Sequence, residues 1–230
     1  MTKTPMLRSA QDARELETPR IEEVKTWFTS DQHWGHTNIL RHQADTRRFE
    51  NIHAMNVAYV DAWNLQVGSS DLVYHLGDFC WGSLKDVENF ASRLKGRIQI
   101  IPGNHDKWTR QRLPEAALPL SASGYRIEVI DPIRVIRLQG QTIVLCHYPM
   151  RSWPHSYYGS WHLYGHVHRP ITPWGLSMDV GVDGSGGSLY SLEHISEYME
   201  QRKLALQAEG RPAFHGASGG EEDETDDVQM

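Results

Sequence analysis

Carboxylates, imidazoles and two side-chain amides occur in five short clusters of the sequence, and nearly all of these clusters follow a segment with strand character. The clusters read SDQH (residues 30–33), LGDF (76–79), GNHD (103–106), CHYP (146–149) and YGHVH (164–168). Residues two apart on an extended chain point to the same side, so Asp31 and His33 can reach one metal ion. His166 and His168 have the same spacing and can do the same.

Together the clusters offer oxygen and imidazole nitrogen ligands without a thiolate. The candidate residues in the clusters are Asp31, His33, Asp78, Asn104, His105, Asp106, His147, His166 and His168. This set suits Mn, Fe, Zn or Ni rather than a structural zinc bound by cysteines. These ligands are too many for one ion. We therefore expect two divalent metal ions, with Mn²⁺ as the first choice and Fe, Zn or Ni as alternatives.

Each cluster taken alone has a plainer explanation. An Asp-x-His pair at a strand end is often a turn, because both residues hydrogen-bond locally. Asn104 and Asp106 favour turns and helix caps. His147 alone would be a buried histidine with a hydrogen-bond partner. The five clusters in this order, each after a predicted strand, favour a shared site instead.

The segments around the clusters predict an α/β domain. Strands are predicted at residues 24–30, 71–77, 97–103, 125–131, 133–138, 141–147, 161–168 and 176–182. Helices are predicted at 52–66, at 84–95 between a Ser83 cap and Gly96, and at 192–207. Alternation of strands and helices indicates parallel pairing in the first half. The short turns DP and QGQ indicate antiparallel pairing in the second half. Ligands bind beyond the carboxyl ends of strands in open α/β sheets, so the clusters should converge on one edge.

The ordered set SDQH, GDF, GNHD, HYP and GHVH resembles the calcineurin-like metallophosphoesterase superfamily over roughly residues 24–185. The stretches SDQHWGHTNIL (30–40) and YHLGDFCWG (74–82) are similar in particular to small bacterial and phage members. The resemblance implies a four-layer α/β/β/α sandwich with mixed sheets. Many members continue the second motif as Gly-Asp-x-x-Asp, whereas this chain has Trp81 there, which weakens the match to the protein phosphatase branch.

Carried onto this sequence, the family pattern implies two metal sites that share one carboxylate. One metal would be held by Asp31, His33, Asp78 and His168. The second would be held by Asp78, Asn104, His147 and His166. His105 matches the family histidine near the scissile phosphate, and Asp106 the carboxylate that orients it. Two metals about 3.5–4 Å apart can lower the pKa of a shared water, and the resulting hydroxide would attack phosphorus.

Further residues near the motifs are candidate substrate contacts, namely His36, Arg47, Arg48 and Arg151. An arginine could bind phosphate through two hydrogen bonds. A helix cap at His36 and solvated surface arginines fit the sequence equally well. Five tryptophans also lie close to the motifs, at positions 34, 81, 108, 153 and 161. Our hypothesis is that they stack on a nucleotide base; the alternative is that they pack in the core.

Composition and charge restrict the class of protein. The 230 residues predict an N-terminal extension (1–23), a metallophosphoesterase domain (24–206) and an acidic disordered tail (207–230). The tail holds most of the net charge of -6, so the body lacks the basic excess expected for binding long nucleic acid. The sequence has no apolar run of membrane length, and its N-terminal residues do not have the pattern of a secretory signal. The two cysteines are predicted to be reduced core residues. We expect a cytoplasmic protein with no membrane partner. The sequence makes no prediction about the oligomeric state.

These features predict a metal-dependent phosphoric ester hydrolase. The expected substrates are phosphodiesters or small phosphomonoesters, including nucleotides. Two alternatives stay open at this point, a non-catalytic scaffold of the same fold and a nuclease acting on DNA or RNA. The complete ligand set argues against the scaffold, and the near-neutral body argues against the nuclease.

Overall fold

The computed structural model describes residues 24–111 and 113–211. The predicted N-terminal extension and most of the predicted acidic tail lie outside these residues. Two mixed sheets and the helices packed on them form the described part of the chain. This arrangement confirms the predicted α/β sandwich with mixed sheets.

The first sheet gathers the strands of the first half of the chain and one late strand. Its members are β1 (Thr26–Thr29), β2 (Leu72–His75), β3 (Arg97–Ile100), β4 (Glu128–Val129) and β9 (Tyr190–Ser191). They lie in the order β4-β3-β2-β1-β9. The pairs among β1, β2 and β3 are parallel, as predicted. β4 is also parallel to β3, and β9 runs antiparallel to β1. The parallel strands therefore present their carboxyl ends at one edge.

The second sheet corrects the predicted pairing. Its members are β5 (Ile133–Leu138), β6 (Gln141–Cys146), β7 (Trp161–Tyr164) and β8 (Ser177–Asp179), in that spatial order. β5 and β6 form an antiparallel hairpin, and the positive φ of Gln139 (48°) and Gly140 (84°) is typical of its tight turn. The antiparallel pairing predicted across the QGQ turn is therefore confirmed. β6, β7 and β8 are parallel, so the antiparallel pairing predicted for the rest of this half was wrong. The physical reason is that the connections after β6 and β7 are long enough to cross over.

Local capping explains where the longer helices begin. The helices are α1 (Ile39–His42), α2 (Ile52–Gln66), α3 (Leu84–Ala91), α4 (Val182–Ser185) and α5 (Leu192–Ala208). The Asn51 side chain accepts a hydrogen bond from Ala54 N–H at the start of α2 (2.9 Å). Ser83 precedes α3, as predicted, and its N–H and hydroxyl donate to the Asp86 carboxylate (2.8 and 2.7 Å). α5 ends at Ala208, two residues beyond the predicted domain boundary.

Strand alternation separates two cores. Trp27 on β1 packs in the core that α2 and α3 cover, together with Met55, Trp63, Val73, Phe90 and Ile98. Phe28 points the other way, into the core shared with the second sheet and α5, together with Tyr74, Ile143, Leu163, Ile195 and Met199. The first sheet is therefore covered on both faces, which fixes the positions of the loops at its edge.

Two further predictions concern the cysteines and the membrane. Cys80 and Cys146 are buried and form no disulfide, as predicted. Among the described residues, no helix combines the length and the apolar character that crossing a membrane requires.

Asp71 connects β1 to β2 and gives a test of the fold. The Trp27 indole N–H (2.9 Å), Lys25 N–H (2.9 Å) and Gly68 N–H (2.8 Å) all donate to its carboxylate. Burial alone would raise the pKa of Asp71, but these hydrogen bonds hold the pKa below its usual 3.8. The stabilisation is therefore full above pH 3.8 and is lost as pH falls through the lower pKa of the folded state.

We expect Asp71→Asn to lower the free energy of unfolding by about 1.5–3 kcal/mol at pH 7, because a charged acceptor of three hydrogen bonds is lost. Urea titrations followed by circular dichroism measure the change. The difference between the variant and the original protein should shrink below pH 3.8. Asp61→Asn, on an exposed position of α2, is the control and should stay within about 0.5 kcal/mol. Equal losses in both variants would contradict this role of Asp71.

Candidate metal centre

The predicted ligands come together where the strands end. Asp31 and His33 follow β1, Asp78 follows β2, and Asn104 follows β3. The remaining ligands follow two strands of the second sheet, with His147 after β6 and both His166 and His168 after β7. The site therefore depends on both sheets.

The first group consists of Asp31, His33 and His168, whose candidate ligand atoms all lie within 4.8 Å of one another. His33 Nε2 lies 3.2 Å from His168 Nε2 and 4.0 Å from Asp31 Oδ1. Asp31 Oδ1 is buried and has no hydrogen-bond partner among the described residues. A buried carboxylate oxygen without a partner, facing two imidazole nitrogens, fits a metal ligand.

The second group consists of Asp78, His147 and His166, again within 4.8 Å of one another. Asn104 Oδ1 lies 3.0 Å from His147 Nε2, so the amide oxygen joins this group. Asp78 Oδ2 is 3.6 Å from His147 Nε2 and 3.4 Å from His33 Nε2. One carboxylate oxygen thus lies between the two groups.

The backbone at this site is unusual. Asp31, His33, Asp78, His166 and His168 all have positive φ, between 50° and 75°. Residues other than glycine rarely adopt this left-handed conformation, which costs about 1–3 kcal/mol each when the surroundings impose it. The loops are held by backbone bonds from Asp31 N–H to Gly77 O and from His33 N–H to Asp78 O, each 3.0 Å long. Such conformational strain is characteristic of functional sites.

Two glycines permit the close approach of these loops. A Cβ atom on Gly103 would collide with the backbone nitrogen and Oδ1 of Asp78. A Cβ atom on Gly165 would collide with Ser30 Oγ and Asp31 Oδ2. The glycines of GNHD and YGHVH are therefore needed for space beside the ligands.

Hydrogen bonds at Nδ1 orient two of the imidazoles. His147 Nδ1 lies 2.8 Å from Leu76 O, and His168 Nδ1 lies 2.8 Å from Asp183 Oδ2. Each ring then donates from Nδ1 and keeps the lone pair of Nε2 for a metal, the arrangement that is usual for metal-binding histidines.

Burial also prepares the ligands electrostatically. It lowers the pKa of His33 far below its usual 6.5, which keeps this imidazole neutral and able to bind a metal. It raises the pKa of Asp31 to about 6, and the nearby Asp78 carboxylate raises it as well. Divalent cations between these carboxylates would offset that unfavourable burial of negative charge.

Arg47 was a candidate substrate contact, but the structure places its side chain in the interior, where it pairs with Asp183. Its side chain is buried, with 1% of its surface exposed, and its guanidinium donates to both carboxylate oxygens of Asp183 (2.9 and 2.6 Å). It also donates to the backbone carbonyls of Asp31 (2.6 Å) and Gln32 (3.0 Å). Arg47 and Asp183 therefore link the first metal-binding loop to His168.

Asp106 also differs from its predicted role. Its carboxylate accepts hydrogen bonds from Phe79 N–H and Gly103 N–H (both 2.9 Å), and more weakly from Cys80 N–H and the Trp108 indole N–H (both 3.2 Å). Among the described residues, the His105 imidazole is not one of the donors to this carboxylate. Asp106 is thus a positioning residue that joins the loops after β2 and β3.

His105 lies at the opening of the site. Its Nε2 is 4.0 Å from Asp78 Oδ2, and a third of its side chain (33%) is exposed. Its backbone N–H donates to Asp78 Oδ1 (2.8 Å), which holds the loop close to the central carboxylate. The His105 ring is therefore open to a ligand bound beside Asp78.

The other predicted substrate contacts lie in different surroundings. His36 lines the cavity over the site beside His33 and His105. Arg48 is exposed and its guanidinium donates to Asp45 O (3.1 Å). Arg151 lies over the Trp174 ring, 4.0 Å from its centroid. Neither Arg48 nor Arg151 lines the cavity that contains His36.

The tryptophans near the motifs have two different environments. Four of them, Trp34, Trp108, Trp153 and Trp161, are buried to 9% exposure or less. They pack in the core, which was the alternative to stacking on a base. Trp81 is 40% exposed and lines the cavity over the site.

A family model described as calcineurin-like phosphoesterase matches residues 24–170. The chain belongs to this family. The matched segment contains every one of the seven candidate ligands described above.

Two phage proteins are similar to part of this chain. The Gene 66 protein of Mycobacterium phage L5 is 37% identical over 86 residues, which are 35% of this chain and 39% of that protein. The Gene 66 protein of Mycobacterium phage D29 is 32% identical over 84 residues, 35% of this chain and 40% of that protein. The chain thus spans about two-fifths of the length of these curated relatives.

A solved structure shows the same fold. The protein of unknown function AQ665 from Aquifex aeolicus superposes with a TM-score of 0.59 at 22% sequence identity. The superposition covers 76% of this chain and 100% of that one.

Asp183 gives a test of how the metal-binding loops are held. Burial would raise its pKa, but the hydrogen bonds from Arg47 and His168 hold the pKa far below its usual 3.8. Asp183→Asn should lower the free energy of unfolding by about 3–5 kcal/mol, because a buried guanidinium loses its charged partner. It should also weaken metal binding by about 10–100-fold, because His168 loses its orienting acceptor.

Urea titration and calorimetric titration with Mn²⁺ measure these two changes. Asp131→Asn is the matched control, because Asp131 pairs with Arg134 at 3.5 Å on the exposed surface. This control should change stability by less than about 1 kcal/mol. If Asp183→Asn bound Mn²⁺ as tightly as the original protein, the link from Asp183 to the metal centre would be wrong.

Proposed function

We propose that this calcineurin-like phosphoesterase is a two-metal hydrolase of phosphodiesters or small phosphomonoesters, including nucleotides. The observation that carries the proposal is the pair of ligand groups that meet at Asp78 Oδ2. Asp31, His33 and His168 would hold one divalent metal. Asn104, His147 and His166 would hold the other, and Asp78 would be shared.

Two bound metals supply a nucleophile from water at neutral pH and neutralise the oxygens of the phosphate. The donor set, nitrogen and oxygen only, agrees with Mn²⁺ and also admits Fe, Zn or Ni. The strained, hydrogen-bonded loops hold the ligands in place before substrate arrives, which lowers the reorganisation needed during the reaction.

His105 would act on the leaving group. Its partly exposed ring and its position 4.0 Å from Asp78 Oδ2 support this role. There its imidazole N–H can donate a hydrogen bond or a proton to the oxygen that leaves. We propose a small phosphate ester as the partner of this site and a cytoplasmic location for the protein.

The first test is metal-dependent turnover. Bis(4-nitrophenyl) phosphate and 4-nitrophenyl phosphate are assayed after chelation and after adding back Mn²⁺, Fe²⁺, Zn²⁺ or Ni²⁺. We expect activity to vanish on chelation and to return with at least one metal. Asp78→Asn should lower kcat/KM by more than about 100-fold, beyond the effect typical of residues that only orient ligands.

Asp61→Asn, with its exposed carboxylate on α2, is the control and should keep full activity. Absence of turnover with every metal would overturn the proposal and favour a non-catalytic scaffold. Equal activity of Asp78→Asn and the original protein would do the same.

A further inference from the structure

Trp81 is held firmly although its ring is exposed. Its backbone N–H donates to Trp34 O (2.9 Å), and the neighbouring Cys80 forms a parallel bridge to Trp34. Trp34 itself is fully buried. The segment that carries Trp81 is therefore fixed to the core, and the ring projects from a rigid base.

The Trp81 ring stands between two cavities at the metal centre. The larger cavity has a volume of about 410 Å³ and the smaller one about 140 Å³. Trp81 and His105 line both of them. A phosphate beside His105 could thus direct one substituent to each side of the indole.

The larger cavity is lined in part by the candidate ligands His33 and His168, and the rest of its lining suits a flat group. On one side the His36 ring stacks on Trp81, with centroids 4.1 Å apart and planes inclined by 8°. Elsewhere the side-chain amides of Asn38 and Gln43 offer donors and acceptors. Among the described residues that line this cavity there is no lysine, arginine or carboxylate. Its volume lies within the range of about 300–1,000 Å³ for small-molecule sites, and aromatic walls with amides suit a nucleobase.

The smaller cavity suits a short, anionic group. Besides Trp81 and His105 it is lined by Gly82 and Lys107. The Lys107 ammonium lies 5.6 Å from the centroid of the Trp81 ring. The volume of this cavity, about 140 Å³, is below the range of small-molecule sites, so it suits a short group better than a second nucleoside.

We propose that Trp81 divides the active site into two unequal arms, and that the substrate is an asymmetric phosphodiester with a nucleoside on one arm and a short anionic group on the other. This inference rests on the proposed phosphoesterase function. In the reaction, water adds to phosphorus and the bond from phosphorus to the oxygen of the short arm breaks. The short arm leaves as an alcohol after taking a proton, and a nucleoside monophosphate remains, so no oxidant or reductant is needed.

The test compares three esters of thymidine 5′-phosphate with the Mn²⁺-loaded protein, with products separated by chromatography. They are the propyl ester, the 2-carboxyethyl ester and the symmetrical ester with a second thymidine. We expect kcat/KM for the propyl ester to exceed that for the symmetrical ester by at least about tenfold, the low end of discrimination by pocket shape. We expect kcat/KM for the carboxyethyl ester to exceed that for the propyl ester by about two- to fivefold, which corresponds to the free energy of an exposed ion pair.

Three variants assign these preferences to residues. Trp81→Ala should reduce the preference for the propyl over the symmetrical ester to within about threefold, because the dividing wall is gone. Trp81→Phe keeps a ring and should retain most of the preference. Lys107→Met keeps the length of the side chain and should abolish only the preference for the carboxyethyl ester. Tyr158→Ala is the control, an exposed aromatic residue that lines neither cavity.

The outcomes separate this inference from the proposed function. Loss of metal-dependent turnover on the thymidine esters and on the nitrophenyl esters alike would overturn both. If Trp81→Ala turned over the esters with an unchanged preference for the propyl over the symmetrical ester, at normal metal content and normal stability, only the proposed division of the site by Trp81 would be overturned. Calorimetric titration of the propyl ester with chelator present repeats the comparison as binding without turnover. There we expect weaker binding to Trp81→Ala, and equal binding would count against the inference.

Discussion

Asp78 joins the two halves of the metal centre through a single carboxylate. Its Oδ2 lies between His33 and His147, which come from different sheets, while its Oδ1 accepts the His105 N–H. This side chain is almost fully buried, and Asp31, also buried, carries a second carboxylate close by. Two buried negative charges are unfavourable without compensating positive charge. The arrangement is therefore best explained as a centre built around cations.

The rest of the fold serves to keep these groups close. Parallel strands place the loops at one edge, and two glycines make the space in which neighbouring loops touch. Asp106 joins the loops of the first sheet, whereas Arg47 and Asp183 connect that sheet to His168. Left-handed backbone at five ligands shows that these loops are held against their own preferences. Stability of the cores and geometry of the site are thus linked.

Much of this could be predicted from the sequence, because strand and helix patterns are local. Each predicted strand has a counterpart among β1 to β8, and α2 matches its predicted bounds. The antiparallel pair β5–β6 was predicted correctly. Antiparallel pairing across the DP turn was wrong, because this turn joins β4 in the first sheet to β5 in the second, which no local pattern reveals. β9 has only two residues and was missed for that reason.

The prediction of the site was also limited to what local sequence patterns reveal. The ligands could be found because their types and spacing recur in short motifs. Arg47 was a candidate substrate contact because its burial depends on distant residues that no local pattern reveals. Asp183 was missed because its role depends on contacts with Arg47 and His168, which are distant in the sequence. Similarly, the sequence places five tryptophans near the motifs, but only tertiary packing distinguishes the exposed Trp81 from the buried four.

The most direct test of the two-metal centre is anomalous diffraction from crystals grown with Mn²⁺. The account predicts two manganese peaks. One should lie within coordination distance of Asp31, His33 and His168, and the other within coordination distance of Asn104, His147 and His166, with Asp78 contacting both. A single peak, or two peaks without a shared Asp78, would contradict it.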